Sequence, residues 1–282
     1  MNITRPDHGR LDDPAEPAAA AIIMAAGRGS RMKNYEGNKT LLPLRPGKSP
    51  YEGSPPMLLH ILESLPPGPK AVVVHHREED VIRATQSLRV TYCRQPTMNG
   101  TGGALLAART FIDDISVDPV LVTMGDVPLV RRETYIRLVE KLQQHPMVVL
   151  GFEPEDRKQY GLLECDADRV LRIVEWKYWK DFPETRMARL GAANAGIYAF
   201  RREALRSHLP VLADRPHRIK KVVSGTTVEL DEFFITDLVE QMTADGLSVG
   251  FVLADDEWEV MGVDDEAALV RAQAIFNARA AG

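Results

Sequence analysis

The residues most able to do chemistry lie close together near the amino terminus. The apolar run Ile22-Ile23-Met24 gives way to Ala25-Ala26 and then to Gly27-Arg28-Gly29-Ser30-Arg31, and Lys39 follows. A buried strand that ends in small residues frees backbone N–H groups, and glycines let that backbone approach an anion without Cβ clashes. Arg31 and Lys39 add full positive charge. This chemistry suits a triphosphate; the plainer alternative is a glycine-rich turn carrying surface cations. Two commoner glycine loops are excluded. A Walker A loop needs adjacent Gly and Lys, but Asn38 separates Gly37 from Lys39. A dinucleotide fingerprint needs a third glycine where this chain has Met32.

Four further groups could act with this loop. In Gln95-Pro96-Thr97-Met98-Asn99-Gly100-Thr101-Gly102-Gly103-Ala104, Gln95 carries the donor and acceptor that read a base edge. Gly100 would let backbone amides approach the same ring, and Thr101 can cap a helix. A plain strand–turn–helix with a cap explains the same residues. In Met124-Gly125-Asp126-Val127-Pro128, Asp126 ends an apolar strand, where a carboxylate is costly unless it meets solvent or a metal. It is the best metal candidate, or else caps a turn. Asp264, after Gly262-Val263, is either a helix N-cap or a second carboxylate on the same ion. Tyr160-Gly161, Glu175, Asn194-Ala195-Gly196 and Thr236 could bond sugar hydroxyls, although singly each reads as surface or turn.

These residues need elements to position them. Short apolar segments at residues 21–24, 71–75, 90–92, 119–123 and 147–151 are predicted strands. Helical spacing predicts helices at 58–65, 78–88, 103–111 and 132–142. Such alternation argues for an α/β fold with a Rossmann-like, mostly parallel sheet, whose ligands bind at the carboxyl edge. Beyond Pro154 the pattern predicts a hairpin of 162–165 with 170–175 across Asp166-Ala167-Asp168. A strand near 195–200, a long gap, a helix at 235–242, a strand at 248–253 and a final helix from Asp264 follow. The expected organisation is a loose tail over 1–19 and one domain over 20–282. Its nucleotide-binding part spans 20–150, its smaller sugar-binding β subregion 151–263, and its closing helix 264–282.

Bulk properties narrow the partners. The 282 residues are 44% hydrophobic and 27% charged, with net charge -5. That is enough for one large domain and argues against nucleic acid as the main partner. The basic run at 215–221 reads as a solvated loop. Cys93 and Cys165 are too few and too distant for a disulfide scaffold or zinc site, which fits a reducing cytoplasm. No apolar run reaches membrane-spanning length, and residues 1–19 lack a signal-peptide core, so no membrane partner is expected. His75 and His76 read as surface or turn histidines. Nothing in the pattern reveals an oligomeric state.

Taken together, AAGRGSRM with Lys39, QPTMNGTGGA, MGDVPL, YGLL with IVEWK, NAGIY, EFFITD and EVMGVDD resemble the sugar-1-phosphate nucleotidyltransferases. The resemblance is strongest to the pyrophosphorylase domain of the N-acetylglucosamine-1-phosphate uridylyltransferases, and covers nearly the whole chain. It implies a nucleotidyltransferase fold of the glycosyltransferase-A-like kind and Mg²⁺-dependent transfer of a nucleotidyl group from an NTP, most simply UTP, to a sugar-1-phosphate. Met24, Ala25, Ala26, Gly27 and Gly29 would then run along the nucleotide, and Arg31 and Lys39 would bind phosphate oxygens. Gln95, Gly100 and Thr101 would read uracil. Gly125, Gly161, Glu175, Asn194, Glu232 and Thr236 would face the sugar phosphate, and Asp126 with Asp264 would hold Mg²⁺.

Some positions depart from the family pattern. Ser30 stands for threonine, Asn38 for proline before the lysine, Gly103 for a common histidine and Asp264 for asparagine. The loops at 45–57 and 176–190 are longer than expected. The chain ends where bifunctional relatives continue into an acetyltransferase β-helix, so acetyltransferase activity is not expected. Three other readings fit parts of the same pattern. One is the same fold with dTTP and glucose-1-phosphate, or CTP and a phospho-alcohol. Another is a non-catalytic sugar-nucleotide sensor, and the third a dehydrogenase, weakened by Met32.

Overall fold

Period-two alternation of small and branched apolar residues explains the centre of the molecule. A computed structural model describes residues 17–29, 31–32, 35–157, 159–223 and 226–281. Strand β1 (Ala20–Met24) sends Ala20, Ile22 and Met24 to one face of the sheet and Ala21 and Ile23 to the other, all of them buried. The chain continues through α1 (Met57–Ser64), β2 (Lys70–Val74), α2 (Glu78–Thr85), β3 (Val90–Arg94), α3 (Gly100–Ala107), α4 (Arg109–Asp114), β4 (Val120–Met124), α5 (Arg132–Lys141) and β5 (Met147–Phe152). After β5 come β6 (Leu162–Asp166), β7 (Arg169–Val174), α6 (Trp176–Trp179), α7 (Glu184–Met187), β8 (Leu190–Phe200) and α8 (Arg202–Ala213). Last are β9 (His217–Val223), β10 (Thr226–Glu232), α9 (Asp237–Ala244), β11 (Val249–Leu253) and α10 (Glu266–Ala281).

The main sheet runs β11-β5-β8-β4-β1-β2-β3. β1, β2, β3 and β4 pair in parallel, as do β5 and β11; β8 is antiparallel to both β4 and β5. Because β8 reverses between them, β4 and β5 still point the same way, and one edge collects most of the carboxyl ends. Leu105, Ile112, Leu205, Leu209, Leu238 and Met242, from α3, α4, α8 and α9, cover one face. Leu58, Ile61, Val81, Tyr135 and Leu138, from α1, α2 and α5, cover the other. Each such side chain contributes about 1.5–3 kcal/mol on burial, which fixes the strand ends that carry the polar residues.

The predicted strands and the β6–β7 hairpin are present, with Ala167 in the left-handed region (φ 53°) at its tip. The hairpin forms the smaller β subregion by pairing β6 onto β8, whereas β8 and β11, from the same 151–263 segment, lie in the main sheet. The helix expected at 103–111 is two helices. It starts earlier, at Gly100, and breaks at Ala108, whose N–H turns back to Leu105 and Leu106. The long gap holds α8, which masks itself in the sequence with Pro210, a residue that normally interrupts a helix interior. It also holds β9 and β10, an antiparallel ribbon outside the main sheet, so the basic run at 215–221 is largely strand rather than loop. Of the expected tail, residues 1–16 lie outside the described residues. Ala19 already belongs to the fold, buried, with its N–H donated to the Pro67 carbonyl.

A third apolar cluster explains the long loop at 45–57. Leu42, Leu44 and Met57 pack with Val263, Leu269 and Ala272 at the start of α10. Gln273 donates Nε2 to the carbonyls of Pro43 (2.9 Å) and Pro50 (2.7 Å), and the Tyr51 hydroxyl reaches Glu266 (2.6 Å). The loop thus docks the carboxyl-terminal helix beside the edge where β1 and β4 end. Among the described residues no helix is long and apolar enough to cross a membrane.

Candidate active site

The turn after β1 is held by a buried amide. Asn38 accepts the Thr40 N–H (3.0 Å) and hydroxyl (2.8 Å) on Oδ1, and donates Nδ2 to the carbonyls of His76 (2.8 Å) and Ala25 (3.4 Å). The residue that replaces proline therefore clamps the short 3-10 turn Lys39–Leu41 from its N-cap. Asn38 was not legible as a site residue, because a turn asparagine carries no signal of distant partners. Gly29 (φ 61°) lies against the stem of Lys39, where a Cβ would sit 3.1 Å from the lysine Cβ. Ser30 lies outside the described residues.

The clamp aims Lys39 at two acids far away in sequence. Lys39 Nζ lies 2.6 Å from Asp126 Oδ2 and 2.9 Å from Asp264 Oδ1, and Arg31 Nη1 lies 3.2 Å from Asp264 Oδ2. The two carboxylates are fixed to each other as well, since the Val263 N–H donates to the Asp126 carbonyl (2.8 Å). Burial alone lowers the affinity of the Lys39 amine for its proton, but Asp126 and Asp264 outweigh it and raise the pKa above the ordinary 10.5. Two cations and two anions thus meet at the carboxyl edge of β1 and β4. Among the described residues no group of three His, Cys, Asp or Glu side chains has metal-binding geometry. The pair of carboxylates suits a hard divalent ion only if phosphate oxygens or water complete its shell.

Beside this cluster is a cavity of about 240 Å³ lined by Met24, Ala26, Gly27, Lys39, Gln95, Met98, Gly100, Thr101 and Asp126, among others. Gln95 is buried and donates Nε2 to Asn99 (3.0 Å) and to the Gly100 carbonyl (3.2 Å), so its amide is oriented. His75 supports the same wall through Nδ1 and the Gln95 carbonyl (2.7 Å). Ala25 does not line this cavity: its N–H donates to Val73, and its side chain packs on the opposite face of the sheet. Gly125 packs against the end of β1 and the Lys39 turn. Its N–H donates to the Met24 carbonyl, and a Cβ would meet that oxygen and Thr40 at 2.9 Å. Thr101 is inside the first turn of α3 rather than its cap, and its hydroxyl accepts the Ile235 N–H (3.2 Å).

The contact with Ile235 joins the two halves of the site. Phe233 N–H donates to Asn99 and its carbonyl accepts the Gly102 N–H (2.8 Å). Cβ atoms at Gly100 (φ 93°) and Gly102 would lie 2.3 Å and 2.7 Å from Phe233 backbone atoms, so glycine is needed at both. Gly103 fits a neighbour as well, since a Cβ there would fall on Asn99, which holds Gln95. Gly102 and Phe233 were missed from sequence because the signal is a backbone contact across more than a hundred residues.

On the other side of this wedge lies a chamber of about 810 Å³, bordered by Glu175, Trp176, Tyr178, Phe234 and Thr236. Glu175 is partly buried, and burial with nearby Asp237 raises its carboxyl pKa against the opposing pull of Lys177. Gly161 is its neighbour, since a Cβ there would stand 3.4 Å from Glu175 Oε2. Asn194 N–H donates to the Gly161 carbonyl (2.8 Å), and its Nδ2 donates to the buried Tyr198 hydroxyl (2.9 Å). Glu232 ends β10 next to Gly100. The extended segment around α6 and α7 supplies much of the chamber rim, including Lys177, Phe182 and Arg186.

Fold and site together define a nucleotidyltransferase domain: a cation-rich turn and two acids at the carboxyl edge of a mostly parallel sheet, beside a base-sized cavity. The chain belongs to the family described as the MobA-like NTP transferase domain, which matches residues 21–219. The bifunctional protein GlmU of Cereibacter sphaeroides (strain ATCC 17025) is 34% identical over 94% of this chain and 54% of its own length. The chain thus spans about half the length of such relatives. The uridine diphosphate N-acetylglucosamine pyrophosphorylase of Trypanosoma brucei superposes with a TM-score of 0.68 at 12% identity, over 90% of this chain and 64% of that one. The 4-diphosphocytidyl-2C-methyl-D-erythritol synthase of Anaerococcus prevotii gives 0.58 at 14% identity, over 93% and 97%. At these identities the two structures speak for the fold alone.

Proposed function

We propose that the chain transfers a uridylyl group from UTP to N-acetylglucosamine-1-phosphate, giving a UDP-sugar and pyrophosphate. One observation carries the reading: Arg31, Lys39, Asp126 and Asp264 meet beside the Gln95 cavity. The acceptor phosphate is already ionised near neutral pH, so its oxygen can attack the α-phosphorus without a general base. The barrier is charge crowding and alignment. Lys39 and Arg31 stabilise the charge on the transferring and leaving phosphates. Gln95, its amide oriented by Asn99, and Gly100 read the pyrimidine edge. Glu175, Asn194 and Gly161 take the sugar hydroxyls, and Glu232 and Thr236 border the sugar phosphate. Asp126 and Asp264 are the residues that would hold Mg²⁺, which supplies charge neutralisation at the phosphates when bound. Dependence on nucleoside triphosphates and the free thiols Cys93 and Cys165 fit a cytoplasmic setting.

A second reading keeps the reaction and changes the substrates to CTP and a phospho-alcohol, because the fold shared with the A. prevotii enzyme does not itself fix the substrates. A panel of UTP, dTTP and CTP against sugar-1-phosphates and phospho-alcohols, scored by pyrophosphate release, separates the two. The expected result is release with UTP and N-acetylglucosamine-1-phosphate above every other pair. Release only with CTP and a phospho-alcohol would replace the first reading by the second.

A further inference from the structure

The position between the two acids is taken by the protein's own cation. The Lys39 ammonium lies within 2.9 Å of an oxygen from each of Asp126 and Asp264, and its side chain is only 10% exposed. It has no other acidic partner among the described residues. The Asn38 clamp fixes the backbone of Lys39 but not its ammonium, because all the amide's bonds go to Ala25, Thr40 and His76. The tip of the side chain is therefore held by the two acids and not by the clamp. The same cavity wall carries Lys39, Thr40 and Asp126, so a triphosphate lying in it comes within reach of the ammonium. Two carboxylates held this close repel each other unless a cation lies between them, and the strength of either cation's hold depends on displacing the other.

We infer that Lys39 is a built-in counter-ion that keeps divalent metal off Asp126 and Asp264 until a nucleotide triphosphate arrives and draws the ammonium to its phosphates. The inference rests on the proposed reading of the site and adds an order of events to it. Metal binds poorly to the free protein and well only together with the nucleotide. Lys39 exchanges one set of anions for another rather than waiting unpaired. Arg31, 72% exposed and bonded to the outer oxygen of Asp264, stays outside this exchange, because it does not reach Asp126.

The test needs no turnover. Mn²⁺ alone is titrated into the nucleotide-free protein and followed by electron paramagnetic resonance. Wild type should bind Mn²⁺ weakly, and Lys39→Met should bind it at least tenfold more tightly. Lys39→Arg, which keeps a cation, should stay close to wild type. Asp126→Asn added to Lys39→Met should abolish the gain, which assigns it to this pair of acids. Thermal unfolding gives a second readout: Lys39→Met should melt below wild type, and Mn²⁺ should restore most of the difference while leaving wild type unmoved. Equal Mn²⁺ affinity in wild type and Lys39→Met, or no binding by Lys39→Met while it remains folded, overturns the inference. A wild type that releases pyrophosphate in the substrate panel while giving equal affinities would lose this inference and keep the proposed reaction. The opposite pattern would keep Lys39 as the counter-ion of the two acids and lose the reaction.

Discussion

The Gln95 cavity and the Glu175 chamber are built differently. The first is made by strand ends. Met24 ends β1, Asp126 follows β4, and Gln95 follows β3, so the core of the sheet fixes their spacing before any ligand arrives. The second is made by a hairpin, two four-residue helices and the segment leading into α9. Its rim residues Lys177 and Tyr178 are exposed. A frame set by buried strands suits the part of a reaction that relatives share, whereas a rim of short helices can change its occupant without disturbing the fold. The two meet at the 233–235 segment, where Phe233 packs on Gly100 and Gly102 and the Ile235 N–H reaches the Thr101 hydroxyl.

The comparison can be broken in stages. The largest effect is expected at the rigid cavity: Asp126→Ala should lower the rate of pyrophosphate release by about 10²–10³-fold, the scale for losing one electrostatic contact to a transition state. A steady-state assay at saturating substrates checks this. The wedge comes next. Gly102→Val forces a side chain into Phe233, so it should destabilise the protein by about 1–3 kcal/mol in denaturant unfolding and raise the KM of both substrates. A change in only one KM would show that the two regions are not joined there.

How far the sequence revealed this division follows the same physics. The turn from Gly27 to Lys39, Gln95, Asp126 and Asp264 were readable, because rare residue types stand at the ends of apolar strands whose periodicity is strong. The meeting of Asp126 and Asp264 is set by topology, which the spacing of the strands alone does not contain. The link that brings them together is the cluster of Leu42, Leu44, Val263 and Leu269 with Gln273, none of which looks chemical. Asn38 and the Phe233 wedge were invisible because they act through backbone contacts. The helix α8 is hidden by Pro210, and the β9–β10 ribbon by the basic run in β9, which reads as a solvated loop.

Smaller effects sharpen the contrast. Trp176→Ala should raise the acceptor KM up to about tenfold, the scale of one aromatic contact, and leave the nucleotide KM within about twofold. Initial rates with each substrate varied in turn separate the two. The smallest effect is on pH. The raised pKa of Lys39 means that its contribution to stability is complete at neutral pH and up to the unfolded-chain value of about 10.4. It is lost only as pH rises through the higher folded value. The melting difference between wild type and Lys39→Met should hold constant from neutral pH to about 10 and shrink above that.

The central claim is that Asp264, at the far end of the chain, works at the same point as Asp126. Pyrophosphate release from UTP and N-acetylglucosamine-1-phosphate by wild type, Asp264→Ala and Asp126→Ala measures this directly. The account predicts robust release by wild type and a loss of at least about 10²-fold in both variants, with folding intact by circular dichroism. Full activity in Asp264→Ala beside a dead Asp126→Ala would contradict it.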